Sequence, residues 1–125
     1  MSYEEALKTI SVEASDDLSA DQYKIVDVDT SGQLVVVSSA GAKMIGVLQD
    51  KPAAAGRVGS VGIDGVTKVV TGATFDAGVR VYSDDAGLAT GVGGAGTFSL
   101  GVAMEGAGTI GDIVAVKIDI TEATA

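Results

Sequence analysis

The chain of 125 residues contains no cysteine, histidine or tryptophan, and Pro52 is its single proline. Without cysteine, neither disulfides nor thiol chemistry are available. Without histidine, a serine or threonine nucleophile would need a lysine or a carboxylate as its base. We therefore expect a protein that is not an enzyme, with no cofactor, no bound metal and no small-molecule substrate.

Basic residues are also scarce. Lys and Arg together number 8 against 17 Asp and Glu, which gives a net charge of −9. Phosphate backbones would be repelled, so nucleic acid is not an expected partner. No apolar run reaches 18 residues, and Met1 to Glu5 lack the basic-then-apolar layout of a signal peptide. We expect a soluble protein, made in the cytoplasm, with no membrane partner.

What the chain does have is aliphatic residues and glycine. Apolar residues make up 46% of the sequence but aromatic residues only 4%, and there are 18 glycines. Val and other β-branched residues suit a pleated sheet, and glycine supplies the positive φ of tight turns. The length suits one domain. The composition therefore predicts a single all-β domain with an aliphatic core.

Eight segments have the composition of strands: 23–28, 33–37, 44–48, 58–63, 66–70, 79–82, 98–104 and 113–120. Turns are predicted at Asp29–Gly32 and Asp84–Gly87. Asp64-Gly65, which lies between two Val-rich runs, is typical of a two-residue hairpin. No window has a sustained helical apolar stripe.

The first 17 residues differ from the rest, because they have no glycine and are acidic. One interpretation is an extended N-terminal arm, residues 1–17, attached loosely to a β-domain, residues 18–125. The other is an ordinary first strand packed on the domain. Composition leaves both open.

An internal repeat is the most informative feature of the sequence. Shifted by 55 positions, residues 21–63 align with residues 76–118 without a gap. The matched positions include Asp29 with Asp84, Gly32 with Gly87, and Gly46-Val47 with Gly101-Val102. Matching glycines imply matching turns or bulges. We therefore predict a small β-barrel or sandwich built from two similar four-strand units.

Three patterns that elsewhere carry chemistry have simpler interpretations here. Gly91 to Gly96 has the spacing G-x-G-x-x-G, but a strand follows where a nucleotide fold needs a helix. Asp27, Asp29 and Ser31 precede Gly32 as in a calcium loop, but Ser38 replaces the twelfth-position Glu. The adjacent carboxylates Asp16-Asp17 and Asp84-Asp85 would point to opposite faces of a strand. We interpret all three as loops and turns.

Four stretches resemble the capsid cement, or decoration, proteins of tailed bacteriophages: residues 9–18, 45–52, 65–70 and 100–105 followed by 111–113. The order and spacing of Ile45-Gly46-Val47-Leu48-Gln49-Asp50-Lys51-Pro52 and of Leu100-Gly101-Val102-Ala103 carry the likeness. It spans the chain from about Thr9 to Ile118.

The resemblance implies a structural protein of the virion that binds the exterior of an expanded head and bridges subunits of the major capsid protein. It also implies a homotrimer, to which the apolar surplus of the strands would contribute interface area. The N-terminal segment would contact the capsid, and its candidate residues are Tyr3, Leu7, Ile10 and Val12. The alternative is a carbohydrate- or surface-binding β-module of a phage fibre or tail, although sugar sites commonly need more aromatic residues.

Overall fold

Nine strands form the protein in a computed structural model that describes residues 7–93 and 96–122. They are β1 (Lys8–Glu13), β2 (Ile25–Val28), β3 (Leu34–Val36), β4 (Gly46–Leu48), β5 (Val58–Val70), β6 (Arg80–Ser83), β7 (Ala89–Thr90), β8 (Phe98–Ala103) and β9 (Ile113–Glu122). The described residues contain no helix, and so none that is long and apolar enough to cross a membrane. The predicted all-β class is confirmed.

The strands join in one open, curled antiparallel sheet that resembles half a barrel. Its order is β3-β2-β4-β5-β9-β8-β6-β7, with β1 paired to β5 off this path. The long strand β5 connects the two halves. Its first part pairs with β1 and β4, and its second part pairs with β9. The sheet is not closed into the barrel that composition allowed.

The hairpin predicted at Asp64-Gly65 is wrong. Strand β5 continues through both residues, and Gly65 has φ +99° within it. Residues before Gly65 pair with β1 and β4, whereas those after it pair with β9, so non-local ladders satisfy the backbone that a hairpin would have paired locally. The positive φ allowed by glycine is used inside a strand here, where the pairing partner changes.

Strand β1 belongs to the sheet in this structure. It runs antiparallel to β5, from Thr9 opposite Gly62 to Glu13 opposite Val58. Ala14 follows as a fully buried residue that bridges Leu34. Of the two interpretations of the N-terminal segment, the described part adopts the packed strand. Residues 1–6 lie outside the described residues, and a boundary near residue 17 stays a prediction.

Two aliphatic clusters form the core, and strands β2 and β4 lie between them. On β2, Ile25 belongs to the larger cluster and its neighbour Val26 to the smaller one. On β4, Val47 and Leu48 are divided in the same way. All four side chains are fully buried. Because adjacent residues of a strand point to opposite faces, β2 and β4 are buried on both faces.

The two halves of the sheet contain strands in matching order. β2 and β6 begin 55 residues apart, as do β3 and β7 and also β5 and β9. The larger cluster contains most of the second half, whereas the smaller cluster contains residues from the first half alone. A duplication of the chain stays a prediction from the sequence.

Gly101 provides a test of the close packing between β8 and β9. A Cβ built on Gly101 would overlap the carbonyl oxygen of Lys117, a backbone atom that has no room to move aside. We expect Gly101→Ala to lower the free energy of unfolding by more than about 2 kcal/mol in chemical denaturation, as overpacked sites do. Gly108→Ala is the control, because nothing lies within 4 Å of its Cβ position. Equal effects of the two substitutions would contradict the packing described.

Candidate functional site

The structure distributes the predicted capsid-contacting residues between two faces of the sheet. Tyr3 lies outside the described residues. Leu7 packs against the larger cluster, where its side chain covers Gly62. The register of β1 shifts between Lys8 and Thr9, and beyond that point Ile10 lies opposite Val61 and Val12 lies opposite Gly59.

Ile10 and Val12 therefore face the side of the smaller cluster. Val12 packs against that cluster and is partly buried, together with Ile45 and Ile63. Ile10 is 39% exposed and is one of the exposed large apolar residues of the described chain. We name the four residues Ile10, Val12, Ile45 and Ile63 the open strip. It combines two residues predicted from the sequence with two that were not.

Ile45 and Ile63 were missed because no local pattern marks them. Ile45 precedes β4 and donates its backbone N–H to the carbonyl of Val26, and Ile63 lies on β5 next to the position where the register of β1 shifts. Their proximity to β1 depends on the pairing of β1 with β5 and of β4 with both β2 and β5. The only available signal was that each belongs to an aliphatic strand segment.

Charged groups near this surface are exposed or paired across short distances. Lys8 and Glu13, at the two ends of β1, are exposed. Elsewhere, Lys24 Nζ lies 2.8 Å from Asp21 Oδ1, and Arg80 Nη2 lies 3.4 Å from Asp119 Oδ2. Pairs of this kind at a surface contribute little to stability. The open strip itself contains no charged residue.

The predicted calcium loop is a pair of capped turns. Asp29 Oδ1 accepts hydrogen bonds from the backbone N–H of Ser31 and of Gln33, both at 2.9 Å. Asp84 Oδ1 does the same for Ala86 at 2.8 Å and Leu88 at 3.0 Å. Within residues 7–93 and 96–122 no group of three acidic side chains is placed to hold a metal ion. These carboxylates act as turn caps.

The other carboxylate pair also serves its own backbone. Asp16 Oδ1 accepts the N–H of Asp17, and Asp17 Oδ1 accepts the N–H of Ser19 at 2.9 Å. Hydrogen bonds from the side chain and then the backbone of Ser19 hold the pKa of Asp17 below its usual value, because they stabilise the carboxylate. Such a group is ionised at neutral pH, and a general acid there would need the opposite shift.

The glycine-rich loop does not open a helix. Its described residues Gly91, Val92 and Gly93 are exposed, and strand β8 begins at Phe98. Gly94 and Ala95 of the same pattern lie outside the described residues. A phosphate-binding loop of this type needs the N-terminus of a helix, and here a strand follows.

One shallow recess lies beside β3. It has a volume of about 150 Å³, and Asp27, Val36, Val37 and Lys43 are among its lining residues. Lys43 Nζ lies 2.6 Å from Asp27 Oδ2, whereas Oδ1 of the same carboxylate is buried with no hydrogen-bond partner among the described residues. An ion pair and a few valines do not make a catalytic constellation. The broad aliphatic faces of the sheet are therefore the better candidates for function.

Comparison with known proteins first identifies the fold. The crystal structure of the head fiber gp8.5 N base in bacteriophage phi29 superposes with a TM-score of 0.70, at 15% sequence identity, over 90% of this chain and 94% of that chain. None of the curated proteins matches the chain significantly. The likeness to the fiber base therefore shows the fold alone.

The family follows from the sequence itself. Residues 20–118 match the family model described as phage cement protein. This is well over half of the chain, so the chain belongs to the phage cement protein family. It is a structural protein of a bacteriophage, associated with the virion, and the resemblance predicted from the sequence is confirmed.

The turn caps allow a test that separates structure from metal binding. We expect Asp29→Ala to lower the free energy of unfolding by about 1–2 kcal/mol, because two backbone N–H groups lose their acceptor. Asp29→Asn keeps a side-chain oxygen and should retain most of that stability. Thermal unfolding of the wild-type protein with excess calcium or with a chelator is the control. A calcium-dependent rise in melting temperature would contradict the assignment as a turn.

Proposed function

We propose that the protein is a capsid decoration protein, which binds the outer surface of the expanded phage head and stabilises it by bridging subunits of the major capsid protein. Its membership of the phage cement protein family is the observation that carries this proposal. The protein would be made in the host cytoplasm and would act on the exterior of the virion. Its work would be adhesion, without catalysis.

The physical properties of the chain suit this role. A decoration protein opposes the pressure of packaged DNA by adding binding energy across joints between subunits, and many copies make modest contacts effective together. Strands β2 and β4, buried on both faces, give the sheet a stiff centre from which contacts can be held. A net charge of −9 keeps free copies soluble until they meet a docking surface.

The N-terminal segment is the proposed contact with the capsid. Leu7, Ile10 and Val12 keep this assignment, with Tyr3 as a further candidate in the part that precedes the described residues. The exposure of Ile10 on β1 supports it, because β1 pairs with β5 along one edge and that side chain is 39% exposed. Strand edges of this kind accept additional strands from partners.

A homotrimer is the proposed form on the shell. The resemblance to decoration proteins supports this state, and exposed apolar side chains outside the open strip offer area for contacts between copies. These are Val58, Val92, Ile110 and Ile113. Light scattering of dilute protein measures whether the trimer exists in solution or forms on the shell alone.

A second candidate is a carbohydrate- or surface-binding module of a fiber or tail. The fold shared with a head fiber base favours keeping it. Sugar sites commonly stack on exposed aromatic rings. Tyr23 is half-buried against the larger cluster, and Tyr82 is half-buried with Gly93 against its ring. This candidate is therefore the weaker one.

Co-sedimentation with phage heads tests the proposed function. Expanded, undecorated heads of the phage that encodes the protein should carry it into the pellet in a saturable manner, and the decorated heads should resist heat or osmotic shock better than bare heads. Unexpanded proheads are the matched control. Absence of binding to expanded heads, together with a reproducible hit on a glycan array, would favour the second candidate.

A further inference from the structure

The two halves of the sheet make the same pairings in the same register. Val47 lies opposite Ile25 and Gly62, and the residues 55 positions later do likewise, with Val102 opposite Arg80 and Lys117. β1 pairs with the first part of β5 as the second part of β5 pairs with β9. Val12 opposite Gly59 thus corresponds to Val69 opposite Val114, an offset of 57 on one side and 55 on the other.

Bonds that close the loops agree with this correspondence. Ala14 donates its backbone N–H to the carbonyl of Arg57, as Thr71 does to Asp112. A side chain caps the next strand in both halves, because Asp50 accepts the N–H of Ser60 and Glu105 accepts that of Ala115. Positive φ angles also fall in pairs 55 residues apart: Tyr23 and Gly78, Gly32 and Gly87, Gly41 and Gly96, Gly56 and Gly111. Equivalent positions can therefore be compared directly.

The halves differ in what covers them. In the second half, Val69 and Leu100 are fully buried and Ile118 is 4% exposed. They belong to the larger cluster, which also contains Ile25 and Val47 of the first half. One face of β2 and β4 thus covers the aliphatic face of the second half.

At the equivalent positions of the first half, the cover is missing. Val12, Ile45 and Ile63 correspond to Val69, Leu100 and Ile118, and all three are only partly buried. Ile10 is 39% exposed, whereas its equivalent Thr67 is 3% exposed. Among the described residues, no strands are stacked on the open strip as β2 and β4 are stacked on the second half.

We propose that the open strip is a docking site for an aliphatic, uncharged β-surface of the capsid protein, which covers it as Ile25 and Val47 cover the second half. This inference rests on the proposed function. The chemistry of the occupant follows from the equivalent covered face, where branched aliphatic side chains meet across stacked strands. The strip contains no charge and offers no polar group to recognise.

A second copy of the chain does not fit as the occupant. To stack as β2 and β4 do, it would present the outer face of β6 and β8, where Arg80 replaces Ile25 and Ser99 replaces Met44. Arg80 Nε donates to Ser99 Oγ at 2.9 Å, and Nη2 donates to the carbonyl of Asp119 at 2.7 Å. Stacking would bury this guanidinium away from water. It would also generate an open, head-to-tail filament, which Arg80 thereby opposes.

Substitution of Ile10 tests the docking site. Wild-type protein, Ile10→Asp and Ile110→Asp are titrated onto expanded, undecorated heads, and the bound fraction is measured by sedimentation. Ile110 is the matched control, because it is 67% exposed in the loop before β9. We expect Ile10→Asp to weaken binding by about tenfold or more, since a carboxylate would be buried against an apolar partner. Ile110→Asp should bind as the wild type does.

The outcomes separate the docking site from the proposed function. If wild-type protein fails to bind heads, the proposed function is overturned. If the wild type binds and Ile10→Asp binds equally well, or if Ile110→Asp is weakened as much, the docking site is overturned. A change in the mass of Ile10→Asp oligomers by light scattering would show that the strip joins copies of this chain, which also overturns it.

A second variant covers the case in which Ile10→Asp does not fold. Ile10→Thr keeps a β-branched side chain on the strand and removes apolar area. Its far-ultraviolet circular dichroism and melting temperature should match those of the wild type, while its binding to heads falls in the same direction. Unchanged binding of Ile10→Thr beside a misfolded Ile10→Asp would overturn the proposal.

Discussion

Stacking of one half of the sheet on the other is the interaction on which the rest of the structure depends. Strands β2 and β4 are buried on both faces, so the short segments Ile25–Val28 and Gly46–Leu48 serve two aliphatic clusters at once. A chain with 4% aromatic residues has few large side chains with which to fill a core. It buries apolar area by layering small aliphatic faces, which requires strands without polar residues on either side.

This layering explains why the two halves have different surfaces despite matching pairings. The second half has its aliphatic face covered and exposes an outer face on which Arg80 is held by Ser99 and Asp119. The first half covers its partner and leaves Ile10 and its neighbours partly open. The molecule is therefore polar in the sense that one end is finished and the other is not. A protein that adheres to a larger assembly needs such an asymmetry, because identical ends would favour self-association.

Local rules predicted the parts of the fold that local bonds determine. The turns at Asp29 and Asp84 follow from carboxylates that cap their own backbone, and the strand segments follow from Val and Ile content. Asp64-Gly65 failed because β5 exchanges one long-range partner for another at that point. For the site, the sequence identified Ile10 and Val12. It placed Leu7 with them, although the register shift of β1 separates the two sets, and it missed Ile45 and Ile63, which only the pairing of distant strands brings near β1.

A reconstruction of the decorated head by electron cryomicroscopy tests the account most directly. The account predicts density for the protein on the outside of the shell, across a joint between capsid subunits, with β1 and the open strip against an aliphatic β-surface and Arg80 facing away from it. Density that places the open strip toward solvent, or the protein inside the shell, would contradict it.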